Sequence, residues 1–109
     1  MRKEQIKKYT EIARQTYQKE MIERTVNWFA EQMKSALNKH LDRPGWKKEG
    51  VFWLLGRLNE EIAELFKAIE FKETKVKVIK ECADVANFAM MIADVYESGH
   101  VEEKERDDE

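Results

Sequence analysis

Two short acidic runs carry the residues most able to do chemistry. Glu61 and Glu64 stand in Asn59-Glu60-Glu61-Ile62-Ala63-Glu64, and Glu81 and Asp84 stand in Glu81-Cys82-Ala83-Asp84. Residues three apart on a helix share a flank. At 100° per residue from Val51, Glu61 falls about 80° and Glu64 about 140° from the centre of the apolar stripe, on one side, while Glu60 points away. Glu81 falls between the directions of Val85 and Phe88, where a carboxylate loses hydration and needs neutralising from outside its own helix. Two such pairs on consecutive antiparallel helices would converge, and four close negative charges repel unless a divalent cation joins them. Oxygen donors without His or Cys select Mg²⁺, with Mn²⁺ the alternative, over zinc. A di-iron bundle would use Glu-x-x-His pairs, and neither His40 nor His100 completes one. The plainer reading is that lysines such as Lys67, Lys77 and Lys80 neutralise these acids.

The elements that must hold the acids follow from the apolar spacing and the breakers. Pro44, Gly45 and Gly50 cluster after residue 40, and Gly99 closes the last apolar segment. The pattern predicts an N-terminal helical region to about residue 40, a loop near 41–49, a helix near 50–70, a turn at 72–74 and a helix near 75–97. In the 50–70 helix, Leu54, Leu55, Leu58, Ile62, Leu65, Phe66 and Ile69 all lie within about 60° of Val51, a stripe expected to face the core. Residues 82–95 contain no Lys or Arg, so that helix is expected to be buried on several sides. The N-terminal region carries a weak stripe (Ile6, Tyr9, Ala13, Tyr17), read as packing, and a stronger one (Ile22, Val26, Phe29, Met33, Ala36, Leu37); one bent helix or two would fit. Three parts are expected: an extension over 1–20, a domain over 21–99, and an acidic, disordered tail over 100–109.

Composition narrows the classes. The chain has 109 residues, one domain's worth, and 39% of them are charged. Only four Gly and one Pro argue against β-rich or collagen-like folds, so an all-α fold is expected. The net charge of −2 lacks the basic excess of a nucleic-acid binder. A lone cysteine, Cys82, makes an internal disulfide impossible and suits a reducing compartment; it is read as a packing residue. No apolar run reaches membrane-span length and no secretion leader opens the chain, so a cytoplasmic location without membrane contact is expected.

Leu58-x-Glu60-Glu61-x-x-Glu64-Leu65, then fifteen residues, then Glu81-x-x-Asp84, resembles the EExxE…ExxD pattern of the MazG-like all-α nucleotide pyrophosphohydrolases. The resemblance covers roughly residues 25–96 and extends to Asn38-Lys39-His40, Gly45-Trp46, Leu54-Leu55-Gly56-Arg57-Leu58 and the run from Ala83 to Asp94, which look like a small single-domain subgroup. It implies a helical bundle completed by homo-oligomerisation, as a dimer or tetramer. It also implies Mg²⁺-dependent hydrolysis of (deoxy)nucleoside triphosphates between the α and β phosphorus, giving a monophosphate and pyrophosphate in nucleotide-pool housekeeping. By position, Glu61, Glu64, Glu81 and Asp84 would hold the metal, and Glu61 or Glu64 would accept the proton of the attacking water.

Other residues fit supporting roles. Lys39, Arg43, Lys47 and Lys48 surround the Pro44-Gly45-Trp46 loop and could neutralise the distal phosphates, or be solvated. Trp46 could stack on a base or plug the bundle end. Asn87, one turn after Asp84, could bond the ligand or cap a neighbouring backbone. Arg57, four residues before Glu61, could orient that carboxylate. His40 is read as structural, and Trp28 and Trp53 as interface residues. The competing function is a non-catalytic helical protein, either a nucleotide-binding sensor or a dimeric interaction module with a vestigial acidic site.

Overall fold

The structure, a computed structural model, describes residues 2–99; the expected acidic tail lies outside the described residues. Three α-helices follow one another, α1 (Lys3–Asn38), α2 (Val51–Glu70) and α3 (Lys75–Glu97), and no strand occurs among the described residues. The N-terminal region is a single helix rather than two.

The chain divides into two compact units between Glu31 and Gln32. The first is helix alone. α1 buries no residue along its length, and Ile6, Tyr9 and Tyr17 are all exposed. The packing expected of these residues is not seen, because one helix offers no second layer to cover its stripe. Within this unit Trp28 and Phe29 stand with ring centroids 6.0 Å apart.

The second unit is a helical hairpin joined by the last turns of α1. α2 ends in a Schellman turn. Lys72 takes the left-handed conformation at φ 52°, its N–H bonds Ile69 O at 3.1 Å, and the Glu73 N–H reaches back to Ala68 O at 2.9 Å. Thr74 then caps α3, its hydroxyl oxygen accepting the Lys77 N–H at 3.2 Å. This tight connection folds α3 back along α2. The two helices share a small core of Leu54, Ala68, Ala83 and Val95.

The apolar stripe of α2 is split. The side holding Leu54, Glu61, Leu65 and Ala68 turns inward, whereas Leu55, Ile62, Phe66 and Ile69, expected in the core, are exposed. The buried face is centred about 70° away from the expected direction. The reason is width: the apolar arc of α2 exceeds what one neighbouring helix can cover. α3 meets its expectation better, since from Cys82 to Val95 only Ala89 and Ala93 are exposed, and Cys82 itself is half-buried.

Candidate metal centre

The hairpin register brings the acids together. Glu61 lies nine residues before the end of α2 and Asp84 nine after the start of α3, so the two stand at one level of the antiparallel pair. Glu64 and Glu81 share the next level toward the turn. On the other side Arg57 and Phe88 share a level, and the guanidinium carbon sits 5.1 Å from the Phe88 ring centroid.

Glu61, Glu81 and Asp84 each offer a carboxylate oxygen, and the three oxygens lie within 4.8 Å of one another. Opposite ligands of an octahedral Mg²⁺ stand roughly 4.2 Å apart, so small side-chain rotations would close the set on an ion. The donor set is oxygen alone, the kind that hard divalent cations take. Glu81 is buried, its side chain only 4% exposed. Glu64 stands apart from this trio. Its carboxylate is 54% exposed and pairs with Lys67 at 3.7 Å, because it lies about 60° further round α2 than Glu61.

The acids are balanced by nearby cations. Lys77 Nζ is 2.8 Å from Glu81 Oε1; Lys80 Nζ is 2.9 Å from Asp84 Oδ2 and 3.8 Å from Glu81 Oε1. Arg57 donates to Glu61 Oε1 at 3.3 Å and also pairs with Glu60. The Glu61 carboxyl titrates above the ordinary carboxylate value. Burial raises its pKa first, repulsion from Asp84 and Glu81 adds to this, and Arg57 and Lys80 only partly offset it. The Lys80 pKa is raised, chiefly by its hydrogen bond to Asp84, so its ammonium stays charged.

Glu61, Glu81, Asp84, Arg57 and Lys80 line a cleft of about 360 Å³ within the second unit. Of the residues singled out by sequence, Lys39, Arg57, Glu61, Glu64, Glu81, Asp84 and Asn87 all face it, together with Arg43 and His40. Trp46 and Lys47 are placed elsewhere. The Trp46 indole N–H donates to Asp94 Oδ2 at 2.9 Å, and Lys47 pairs with the same carboxylate and reaches Ser98 Oγ at 3.3 Å. They brace the loop against the C-terminal end of α3.

Asn87 ties the hairpin to α1. It is 3% exposed, its Nδ2 donates to Met33 O at 3.1 Å, and its Oδ1 is buried with no protein partner. The carbonyl of Met33 fixes which amide atom faces it, so the orphan is the acceptor. Lys80 is the cleft residue that sequence reasoning counted only as a neutraliser. Its position four residues before Asp84 is the signal that places it beside that acid. Among the described residues no helix is long and apolar enough to cross a membrane. No family model, no curated protein and no solved structure matches the chain.

Proposed function

We propose that the chain is a Mg²⁺-dependent nucleoside triphosphate pyrophosphohydrolase of the MazG-like kind. It would cleave (deoxy)nucleoside triphosphates between the α and β phosphorus in nucleotide-pool housekeeping in the cytoplasm. The observation that carries this reading is that one cleft is lined by both the carboxylate trio and the cations Lys39, Arg43, Arg57 and Lys80. A magnesium–triphosphate complex calls for that mixture: oxygen ligands for the ion, and positive groups for the phosphate oxygens the ion leaves uncovered.

In this reading Glu61, Glu81 and Asp84 hold the ion, and Glu64 turns from Lys67 into the cleft it already borders. The ion, when bound, supplies charge neutralisation at the phosphates and acidifies a coordinated water. Glu61 or Glu64 accepts the proton of the attacking water. Lys39 and Arg43 hold the β and γ phosphates, and Arg57, stacked on Phe88, orients Glu61. The chain works as a homodimer or homotetramer. The test is pyrophosphate release from a panel of canonical and modified nucleotides with Mg²⁺. Glu64→Ala and Asp84→Ala should abolish release while leaving the helices folded, and retained turnover in both would remove the site.

A second reading has its own observation. Arg57, Lys77 and Lys80 already match the three carboxylates, as in a protein whose acids are structural or vestigial. A non-catalytic nucleotide-binding or dimeric interaction module would bind nucleotide, or nothing, without releasing pyrophosphate in the same assay.

A further inference from the structure

We infer that Asn87 reads the nucleoside half of a bound nucleotide: its side-chain oxygen accepts a hydrogen bond from an O–H or N–H group of the sugar or base. The inference rests on the nucleotide reading above. Its test is binding, so it stands or falls apart from pyrophosphate release.

The side chain is fixed at one end and free at the other. Asn87 lines the cleft and is only 3% exposed; its Nδ2 donates to Met33 O at 3.1 Å, and its Oδ1 is buried without a protein partner. Turning the amide over would set its oxygen against the Met33 carbonyl oxygen, so the group left over is an acceptor and takes only a donor. Met33 lies inside α1, where its carbonyl already accepts from the helical ladder, so the tie to Asn87 is an added bond. A buried acceptor left without a donor is costly, and native proteins rarely keep one without a use.

The cleft changes character along its length. On α3 the residues that line it pass from charged, at Lys80, Glu81 and Asp84, to uncharged, at Asn87, Phe88 and Met91. The last turns of α1 run the opposite way and repeat the change. Met33 is level with Asn87, Ala36 and Leu37 follow, and Lys39 comes last, lining with Lys80 a second hollow of about 190 Å³. Arg57 reaches the uncharged end too, but its guanidinium is occupied by Glu60, Glu61 and the Phe88 ring. A nucleotide has the same division, with phosphates at one end and sugar and base at the other.

The orphan acceptor sits at the changeover. Asn87 stands one turn, about 4.5 Å, beyond Asp84 along α3. A nucleotide held by its phosphates at the charged end brings its sugar and base to this level. Phosphate oxygens only accept and are turned away by Oδ1, whereas sugar hydroxyls and base N–H groups donate. Met91 lies four residues on and so on the same face; its unbranched chain can move aside for the group that reaches Oδ1.

Calorimetry with α,β-imido nucleoside triphosphates and Mg²⁺ reads binding without turnover. For the base that binds best, the parent analogue is compared with two others. One is the 2′,3′-dideoxy form, which has no sugar hydroxyl, and the other has its base N–H donors replaced by C–H or N-methyl. One of the two should bind the unmodified protein about tenfold or more weakly, and which one it is names the donor. In Asn87→Ala that gap should close to within about twofold. Equal binding of all three ligands to the unmodified protein overturns the inference, and so does a gap that survives in Asn87→Ala. A fall in Mg²⁺ affinity without nucleotide in this variant overturns it as well, because the amide then belongs to the ion. Should Asn87→Ala fail to fold, Asn87→Leu, which fills the space, replaces it with the same expectations. A gap that closes in a protein releasing no pyrophosphate supports the inference and removes only the hydrolase; a gap that survives in a protein releasing pyrophosphate does the reverse.

Discussion

The ammonium of Lys80 lies 2.9 Å from Asp84 Oδ2, at the edge of the space that the three clustered carboxylates enclose. A divalent ion bound there must push this charge aside or tolerate it. Lys80→Met should therefore bind Mg²⁺ at least tenfold more tightly in the absence of nucleotide, about 1.4 kcal/mol, as read by calorimetry. Equal affinity in the two proteins would mean that the lysine and the ion do not compete.

Glu64 separates chemistry from stability. Its side chain is exposed and holds only Lys67, so Glu64→Ala should change unfolding free energy by less than about 0.5 kcal/mol. Pyrophosphate release should fall by on the order of a hundredfold or more. A chemical melt and a turnover assay on one preparation check both halves.

The pH dependence of the metal-free protein follows from Glu61. Its folded pKa lies above the ordinary value of 4.5, chiefly through burial. Its favourable contribution is thus complete below that ordinary value and is lost as pH rises through the raised one. Relative to Glu61→Gln, the unmodified protein should lose stability across this window in EDTA, and added Mg²⁺ should restore it above the window. Urea midpoints for both proteins between about pH 4 and pH 8 test the sign.

Trp46 is a brace in this structure. Trp46→Phe removes the indole donor to Asp94 and should cost about 1 kcal/mol, lowering Tm by about 4–8 °C. Because Trp46 does not line the cleft, the KM for nucleotide should stay within about twofold. A large KM rise at unchanged Tm would return Trp46 to the substrate.

Lys72 holds a backbone conformation that favours glycine. Lys72→Gly keeps the Schellman bonds and removes the steric penalty of a side chain in the left-handed region. It should stabilise the hairpin by about 1 kcal/mol, visible as a higher urea midpoint with unchanged slope.

The helices of the hairpin are legible in the sequence because three-and-four spacing and the flanking residues Gly50 and Thr74 act locally. The expected 50–70 and 75–97 match Val51–Glu70 and Lys75–Glu97 within a residue. The meeting of Glu61 with Glu81 and Asp84 was also readable, since a short turn leaves few registers for an antiparallel pair. Which half of the α2 arc turns inward was not. Leu54 and Leu55 are equally apolar, and only the position of α3 separates them. Glu64 departs from the trio for the same reason, because a rotation of tens of degrees moves it from cleft wall to rim. Trp46 and Lys47 sit in a loop without periodicity, so nothing in their spacing points to Asp94.

The turn at 71–74 has a kinetic consequence. Glu61 and Asp84 are joined by one short hairpin, so bringing them together costs little chain entropy and requires no distant segment to arrive first. The acidic trio is therefore set by the hairpin alone and draws no carboxylate from the residues before α2.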